Sequence, residues 1–80
     1  MLNKKISKFS IFGMNCGNCV RNIRSSLTKI KGIDRVSINF FKKEAEIIFD
    51  PKFIQISTIT EVINSLGYKG QEIATFELNQ

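Results

Sequence analysis

The spacing of apolar residues along this chain changes from a strand pattern to a helix pattern and back, and then does so a second time. In residues 8–12 apolar and polar side chains alternate, which places Phe9 and Ile11 on the same side of a strand. After position 19 the apolar residues follow helical spacing. They are Val20, Ile23, Leu27 and Ile30. Basic residues follow them, and Gly32 suits the C-terminal cap of this helix.

Alternation returns in the middle of the chain, where two strands point apolar residues inward. They are Val36, Ile38 and Phe40 in one strand and Ala45, Ile47 and Phe49 in the next. A turn centred on Lys42-Lys43 puts apolar partners opposite each other at every inward position. The predicted pairs are Phe40 with Ala45, Ile38 with Ile47, and Val36 with Phe49. Because Lys-Lys is a poor two-residue turn, we expect a four-residue connection in the same register.

A second helical pattern spans about Ile56 to Leu66, and Gly67 suits its end. Its inward residues are Ile59, Val62, Ile63 and Leu66. A last strand lies within residues 68–76. This order of elements predicts an α+β, ferredoxin-like βαββαβ sandwich, in which two helices cover one face of a four-stranded antiparallel sheet. We expect one domain over residues 1–80, with its core at about 6–74, because 80 residues suffice for a single core.

Cys16 and Cys19 are the only cysteines, and the chain has no histidine. The pair lies at the junction of the first strand and the first helix. Thiolates select soft ions such as Cu(I) and Zn(II), so a soft-metal site has to use this pair, with Met14 as the only local thioether. Four-ligand zinc sites, c-type haem attachment and common iron–sulfur clusters need ligands that one chain does not supply. A two-thiolate ion site or a dithiol redox pair remains.

The redox alternative uses the same Cys-x-x-Cys spacing, which is found in thioredoxin-like proteins. A helix N-terminus favours the thiolate in both cases, so it does not distinguish them. The chain has no tryptophan and a single proline, Pro51, so no second proline-bearing loop is available to pack beside the cysteines. These features favour metal binding over redox catalysis, and we expect no enzymatic activity.

The run Gly13-Met14-Asn15-Cys16-Gly17-Asn18-Cys19 resembles the Gly-Met-x-Cys-x-x-Cys motif of the heavy-metal-associated domain family. Gly32-Ile33, the strand from Val36 to Phe40, and Leu66-Gly67-Tyr68 extend the resemblance to about residues 6–74. The family includes cytosolic copper chaperones, the N-terminal modules of copper-transporting P-type ATPases and bacterial mercury-binding proteins. The resemblance implies that Cys16 and Cys19 hold the ion.

The same resemblance implies supporting roles for three further residues. Gly13 would permit the tight turn. Met14 would be a buried prop under the metal loop, residues 13–19, rather than a ligand. Tyr68 would approach the metal loop from the other side. Two thiolates leave an ion open to a thiolate of a partner, so the resemblance implies metal transfer by ligand exchange.

Cu(I) is the ion that the resemblance favours. Bacterial copper-handling members commonly have tyrosine at the position of Tyr68. Zinc-exporting relatives often carry an aspartate where this chain has Asn15, and a carboxylate suits a harder ion, so its absence favours Cu(I) over Zn(II). Hg(II) accepts the same two-thiolate geometry, so a mercury-binding protein remains the alternative.

Positive charge is in excess, with a net charge of +5. A right-handed crossover would make the first two strands parallel and bring the first loop, the Lys42-Lys43 turn and the Gly67-Tyr68 loop to one end. The basic residues expected around the cysteines are Arg21, Lys42, Lys43 and Lys69, with Arg24 one turn farther along. Such a surface would attract an acidic partner, either a P-type ATPase or another metal-binding domain. Ordinary solubilising charge is the alternative.

Other classes of partner have little support in the sequence. The open sheet face would show Phe12, Phe41 and Ile48 but carries no RNA-recognition signature, so we expect no nucleic-acid binding. No apolar stretch is long enough for a membrane span, and no signal peptide is recognised, which predicts a cytoplasmic location. A monomer is expected, with a metal-bridged dimer as the alternative. A free chaperone and a module of a transporter both fit the sequence.

Overall fold

A computed structural model describes residues 4–14 and 16–78 of the chain. The elements are β1 (Lys4–Phe12), α1 (Gly17–Thr28), β2 (Ile33–Asn39), β3 (Glu44–Phe49), α2 (Ile56–Ser65) and β4 (Lys69–Leu78). The strands form one sheet in the order β2-β3-β1-β4, and every neighbouring pair is antiparallel. This arrangement confirms the predicted βαββαβ order and the four-stranded antiparallel sheet. Within the described residues neither helix is long and apolar enough to cross a membrane.

The core lies between the helices and one face of the sheet. Phe9 and Ile11 of β1 are completely buried, as the alternation predicted. The other predicted inward residues that are buried are Ile23, Leu27, Val36, Ala45, Ile47, Phe49, Ile59 and Ile63. Burial of each Val, Ile, Leu or Phe side chain among them stabilises the fold by roughly 1.5–3 kcal/mol. Leu66 is a correction, because α2 ends at Ser65 and leaves the Leu66 side chain 36% exposed.

The first strand begins four residues earlier than the alternation indicated. The alternation missed this part of the strand because Ser7, a polar residue, faces the core and is completely buried. Its hydroxyl lies 2.7 Å from that of Thr75 on β4, so the buried oxygen has a hydrogen-bond partner. A hydroxyl satisfied in this way is compatible with burial, although it breaks the apolar pattern of the strand.

The first helix ends earlier than predicted. It stops at Thr28, and Lys29 is its C-cap in a right-handed helical conformation, so Gly32 is not the cap. Gly32 adopts φ +102° in the turn that follows, and a β-carbon there would lie 2.8 Å from the Cβ of Phe53. The carbonyl of Gly32 also accepts the N–H of Asp50 at 2.8 Å. The glycine therefore permits a close approach between two loops rather than ending the helix.

The hairpin of β2 and β3 has a different register from the predicted one. Val36 pairs with Ile47 and Ile38 with Ala45, so the connection of residues 40–43 is centred on Phe41 and Lys42 rather than on Lys42-Lys43. The shift is two residues, which leaves the same side chains on the core face. A connection of four residues was expected and is present, but Phe40 lies in it and not in β2.

The sheet topology brings three connections to one end of the molecule. Strands β1 and β2 both run antiparallel to β3 and so point the same way, as predicted. The loop after β1, the 40–43 turn and the segment before β4 therefore lie together. The N–H of Ile11 donates to the carbonyl of Lys43 at 2.8 Å, and Phe12 pairs with Lys69.

Candidate metal centre

The loop between β1 and α1 carries Cys16, and the first turn of α1 carries Cys19. The loop turns at Gly13, whose φ of +93° favours glycine, and a β-carbon there would lie 3.6 Å from the ring of Tyr68. The next residue, Met14, is completely buried in the core. Asn15 lies outside the described residues. The chain then emerges at Cys16, whose side chain is exposed. A buried anchor thus lies two residues before the exposed Cys16.

Cys16 is the N-cap of α1, and Cys19 stands in the first turn of that helix. The backbone N–H of Cys19 donates to the Sγ of Cys16 at 3.3 Å, and it also lies 3.1 Å from the Cys16 carbonyl oxygen. Both side chains are thiols rather than halves of a disulfide. Cys16 is exposed and Cys19 is half-buried, so the pair combines one open and one sheltered residue.

The pair stands at the N-terminus of α1, the positively polarised end of the helix. The N-terminus of a helix carries a partial positive charge that stabilises anions. The first turn of α1 contains no acidic residue that would oppose this effect. In the described residues, no group of three or more His, Cys, Asp or Glu side chains could hold a metal ion. The chemistry available is therefore that of two soft donors.

Tyr68 directly precedes β4 and approaches the thiols from there. A hydrogen bond with Cys19 is the largest of the effects that raise the pKa of the Tyr68 phenol above its usual value. Desolvation and the negative charge of the two thiolates act in the same direction. The neutral phenol is thereby favoured, and its O–H can donate to the sulfur of Cys19.

Lys43 contacts the metal loop directly. Its Nζ donates to the carbonyl oxygen of Met14 at 2.8 Å and lies 3.9 Å from the centre of the Phe40 ring. The sequence grouped Lys43 with surface charges, and no motif indicated this contact. Only the position of the turn had a signal, in Asn39, because an asparagine before a tight connection favours a turn, and its Oδ1 accepts the N–H of Lys42 at 3.1 Å.

The other predicted basic residues have exposed side chains. Arg21 and Arg24 lie on α1, Lys42 lies in the 40–43 turn, and Lys69 begins β4 opposite Phe12. Two aromatic side chains are also exposed at this end, Phe12 by 53% and Phe41 by 92%. The end of the molecule that carries the thiols therefore presents basic and aromatic side chains to solvent.

Comparison with known proteins gives a consistent result. The family model for the heavy-metal-associated domain matches residues 8–69. The copper chaperone CopZ of Enterococcus hirae is 35% identical over 66 residues, which are 82% of this chain and 96% of the chaperone. A copper-exporting P-type ATPase of Bacillus subtilis is 33% identical over 63 residues, which are 79% of this chain but only 8% of the ATPase.

A solved structure is also similar to this chain. The N-terminal domain of a potential copper-translocating P-type ATPase from Bacillus subtilis, in the Cu(I)-loaded state, superposes with a TM-score of 0.86. It is 29% identical, and the match covers 94% of this chain and 92% of that domain. The two chains share the ferredoxin-like fold.

Proposed function

Because the chain belongs to the heavy-metal-associated domain family, we propose that Cys16 and Cys19 hold one Cu(I) ion and deliver it to a partner protein. The observation that carries the proposal is the contact between Cys16 Sγ and the N–H of Cys19, because it keeps the first thiol at the start of the helix that bears the second. The proposed role is binding and transfer of an ion, not catalysis of a reaction.

Copper is supported over other soft ions by two considerations. The relatives described above are a copper chaperone and copper-transporting ATPases. A two-thiolate site also suits Cu(I) better than Zn(II), which in structural sites takes four tetrahedral ligands. Hg(II) is compatible with two thiolates, so it is included in the experiment below.

The exposures of the two thiols suggest the order of transfer. Cys16 is exposed, so a thiolate of the partner can reach an ion on that side, while the half-buried Cys19 retains its bond. The incoming sulfur forms a bond to Cu(I) and the Cys16–Cu(I) bond then breaks. Cys19 is released in the same way in a second step. The oxidation state of copper does not change, and the ion is never free in water.

The proposed partner is an acidic metal-binding domain, such as that of a P-type ATPase. Arg21, Lys42 and Lys69 would face it around the thiols, with Arg24 farther along α1, and positive charge speeds association with an acidic surface. Copper chaperones of this kind act in the cytoplasm, and we propose that location here. We propose a monomer that can form a metal-bridged dimer through the same thiols.

An anaerobic titration with Cu(I) against a competing chelator tests the proposal. Wild type should bind one ion per chain tightly, and Cys16→Ser and Cys19→Ser should each abolish tight binding. Gly17→Ala is the matched control, because Gly17 lies between the two cysteines in the sequence, the change removes no thiol, and the added β-carbon meets no atom within 4 Å. Tight binding by both serine variants would refute the site, and weak Cu(I) binding beside tight Hg(II) binding would indicate mercury handling.

A further inference from the structure

Lys43 has an unusual backbone conformation. Its φ is +56°, and among the described residues it is the one non-glycine residue with a positive φ. A β-carbon makes this left-handed conformation unfavourable, and glycine is preferred at this place in many hairpin connections. A lysine held there against its preference indicates that its other contacts determine the conformation.

Those contacts join the 40–43 turn, strand β1 and the metal loop. The N–H of Lys43 donates to the carbonyl of Phe40 at 3.3 Å, which closes the turn. The Lys43 carbonyl accepts the N–H of Ile11 at 2.8 Å, which fixes the turn to β1. The amine reaches farther and donates to the carbonyl of Met14, while the ring of Phe40 supports it from 3.9 Å.

We propose that Lys43 is a positioning residue that holds the metal loop in its binding conformation, an inference that rests on the proposed function. Met14 is fixed on both sides, since its side chain is buried in the core and its carbonyl is held by the amine. A single residue separates this anchor from Cys16. Ordering the loop before the ion arrives reduces the conformational entropy lost on binding.

The role of Lys43 differs from that of a surface charge. Lys42 is its neighbour in the same turn and carries the same charge, but its side chain is exposed and its N–H is held by Asn39. If charge alone mattered, removal of either lysine would weaken copper binding equally. If the bond to Met14 matters, only Lys43 should affect the loop, and arginine should replace it because a guanidinium also donates and also stacks on a ring.

The experiment compares Lys43→Gly, Lys43→Arg and Lys42→Ala with wild type. Lys43→Gly removes the amine but relieves the positive φ, so the urea midpoint should stay close to that of wild type. Amide hydrogen exchange in residues 13–19 of the apo protein should become about 2- to 10-fold faster, the range expected for one net hydrogen bond, and the Cu(I) dissociation constant should rise by a similar factor. Lys43→Arg should behave as wild type in both measurements. Lys42→Ala should do so as well, because neither measurement contains the partner that Lys42 is proposed to face.

Three results would overturn the inference. They are unchanged loop exchange in Lys43→Gly, an equal change in Lys42→Ala, and failure of Lys43→Arg to restore protection. Lys43→Met, which keeps most of the length of the side chain and removes its donor, replaces the glycine variant if that variant does not fold. The exchange measurement needs no metal, so it tests Lys43 even if wild type binds no Cu(I), a result that would defeat the proposed function alone.

Discussion

The backbone N–H of Cys19 donates to the Sγ of Cys16 across 3.3 Å, so the first cysteine caps the helix that carries the second. An N-cap side chain bonds to the N–H two or three residues into the helix. The spacing of the two cysteines matches that distance, with Cys16 at the cap and Cys19 at the third helical position. The same two residues thus provide soft donors and order the start of α1.

This capping role predicts different effects for two replacements of Cys16. Cys16→Ser retains a side-chain acceptor, whereas Cys16→Ala loses it and should be less stable than the serine variant by about 1 kcal/mol. Both should lose tight Cu(I) binding. Urea unfolding of the apo proteins measures the difference. Asn18→Ala, at an exposed position in the same turn, is the control and should change the free energy of unfolding by less than about 0.5 kcal/mol. Equal stability of the serine and alanine variants would show that the cap contributes nothing.

Met14 should act through packing and not as a ligand. Its side chain is completely buried under the metal loop. Met14→Leu preserves most of its volume, so Cu(I) affinity should remain near that of wild type. Met14→Ala leaves a cavity and should lower the free energy of unfolding by roughly 2–5 kcal/mol. Chelator competition and urea unfolding separate the two effects. If Met14→Leu weakened Cu(I) binding as strongly as Cys16→Ser does, the thioether would have to be a ligand.

Gly13 and Gly17 should respond differently to the same substitution. Gly13 has a φ of +93°, and an alanine there is strained although its β-carbon only touches the ring of Tyr68 at 3.6 Å. We expect Gly13→Ala to cost about 1–2 kcal/mol of stability and to weaken Cu(I) binding, because the strain falls on the loop itself. Gly17 is helical and unobstructed, so Gly17→Ala should be neutral or stabilising by up to about 1 kcal/mol. Similar losses in both variants would contradict the assigned role of the turn.

The hairpin shows what the sequence could and could not predict. Alternation correctly identified Val36, Ile38, Ala45 and Ile47 as inward residues. Side chains two residues apart in a strand lie on the same face, so apolar residues at that spacing mark the buried face. It could not choose between registers that differ by two residues, since both place the same side chains inward. The choice depends on the chemistry of the turn, where Asn39 and the left-handed Lys43 fix a connection at residues 40–43.

The candidate site also combines a part that the sequence predicts with a part that it does not. The motif predicts Cys16 and Cys19 as the ligands, because few other soft donors exist in the chain, and this assignment stays a prediction. The contact between Lys43 and Met14 joins residues 29 positions apart, and no local pattern encodes it. It depends on how the 40–43 turn and the loop after β1 meet at the end of the sheet, so only the three-dimensional arrangement reveals it.

Tyr68 should ionise at a higher pH than an ordinary tyrosine. Its hydrogen bond with Cys19 raises the pKa of the phenol above the usual value of about 10. The unfolded chain would therefore lose this proton first, so the stabilising contribution is fully present below about pH 10 and is lost as the pH rises through the folded-state pKa. Tyr68 is the only tyrosine and the chain has no tryptophan, so ultraviolet absorbance of the phenolate reports it alone.

Cys19→Ser provides the comparison for this titration. It removes the sulfur whose hydrogen bond is the main cause of the shift and whose charge adds to it, so the midpoint for Tyr68 should move down toward the usual value. Lys52→Ala, in the turn after β3 at the other end of the sheet, should leave the midpoint where it is in wild type. A midpoint that is the same in Cys19→Ser and wild type would mean that the hydrogen bond does not hold the phenol proton.

Copper transfer to an acidic acceptor should depend on where positive charge lies and not only on its amount. Lys69 and Lys52 are both exposed, but Lys69 begins β4 opposite Phe12 beside the metal loop, whereas Lys52 follows β3 at the far end. Lys69→Glu and Lys52→Glu lower the net charge of +5 by the same amount.

With an acidic metal-binding domain of a copper-transporting ATPase as acceptor, Lys69→Glu should slow transfer by up to about tenfold at low salt, and Lys52→Glu should have little effect. The difference should shrink at about 0.15 M salt, where screening limits interactions to about 8 Å. Equal slowing by both variants, or transfer in wild type that does not respond to salt, would mean that the basic residues serve solubility and not recognition.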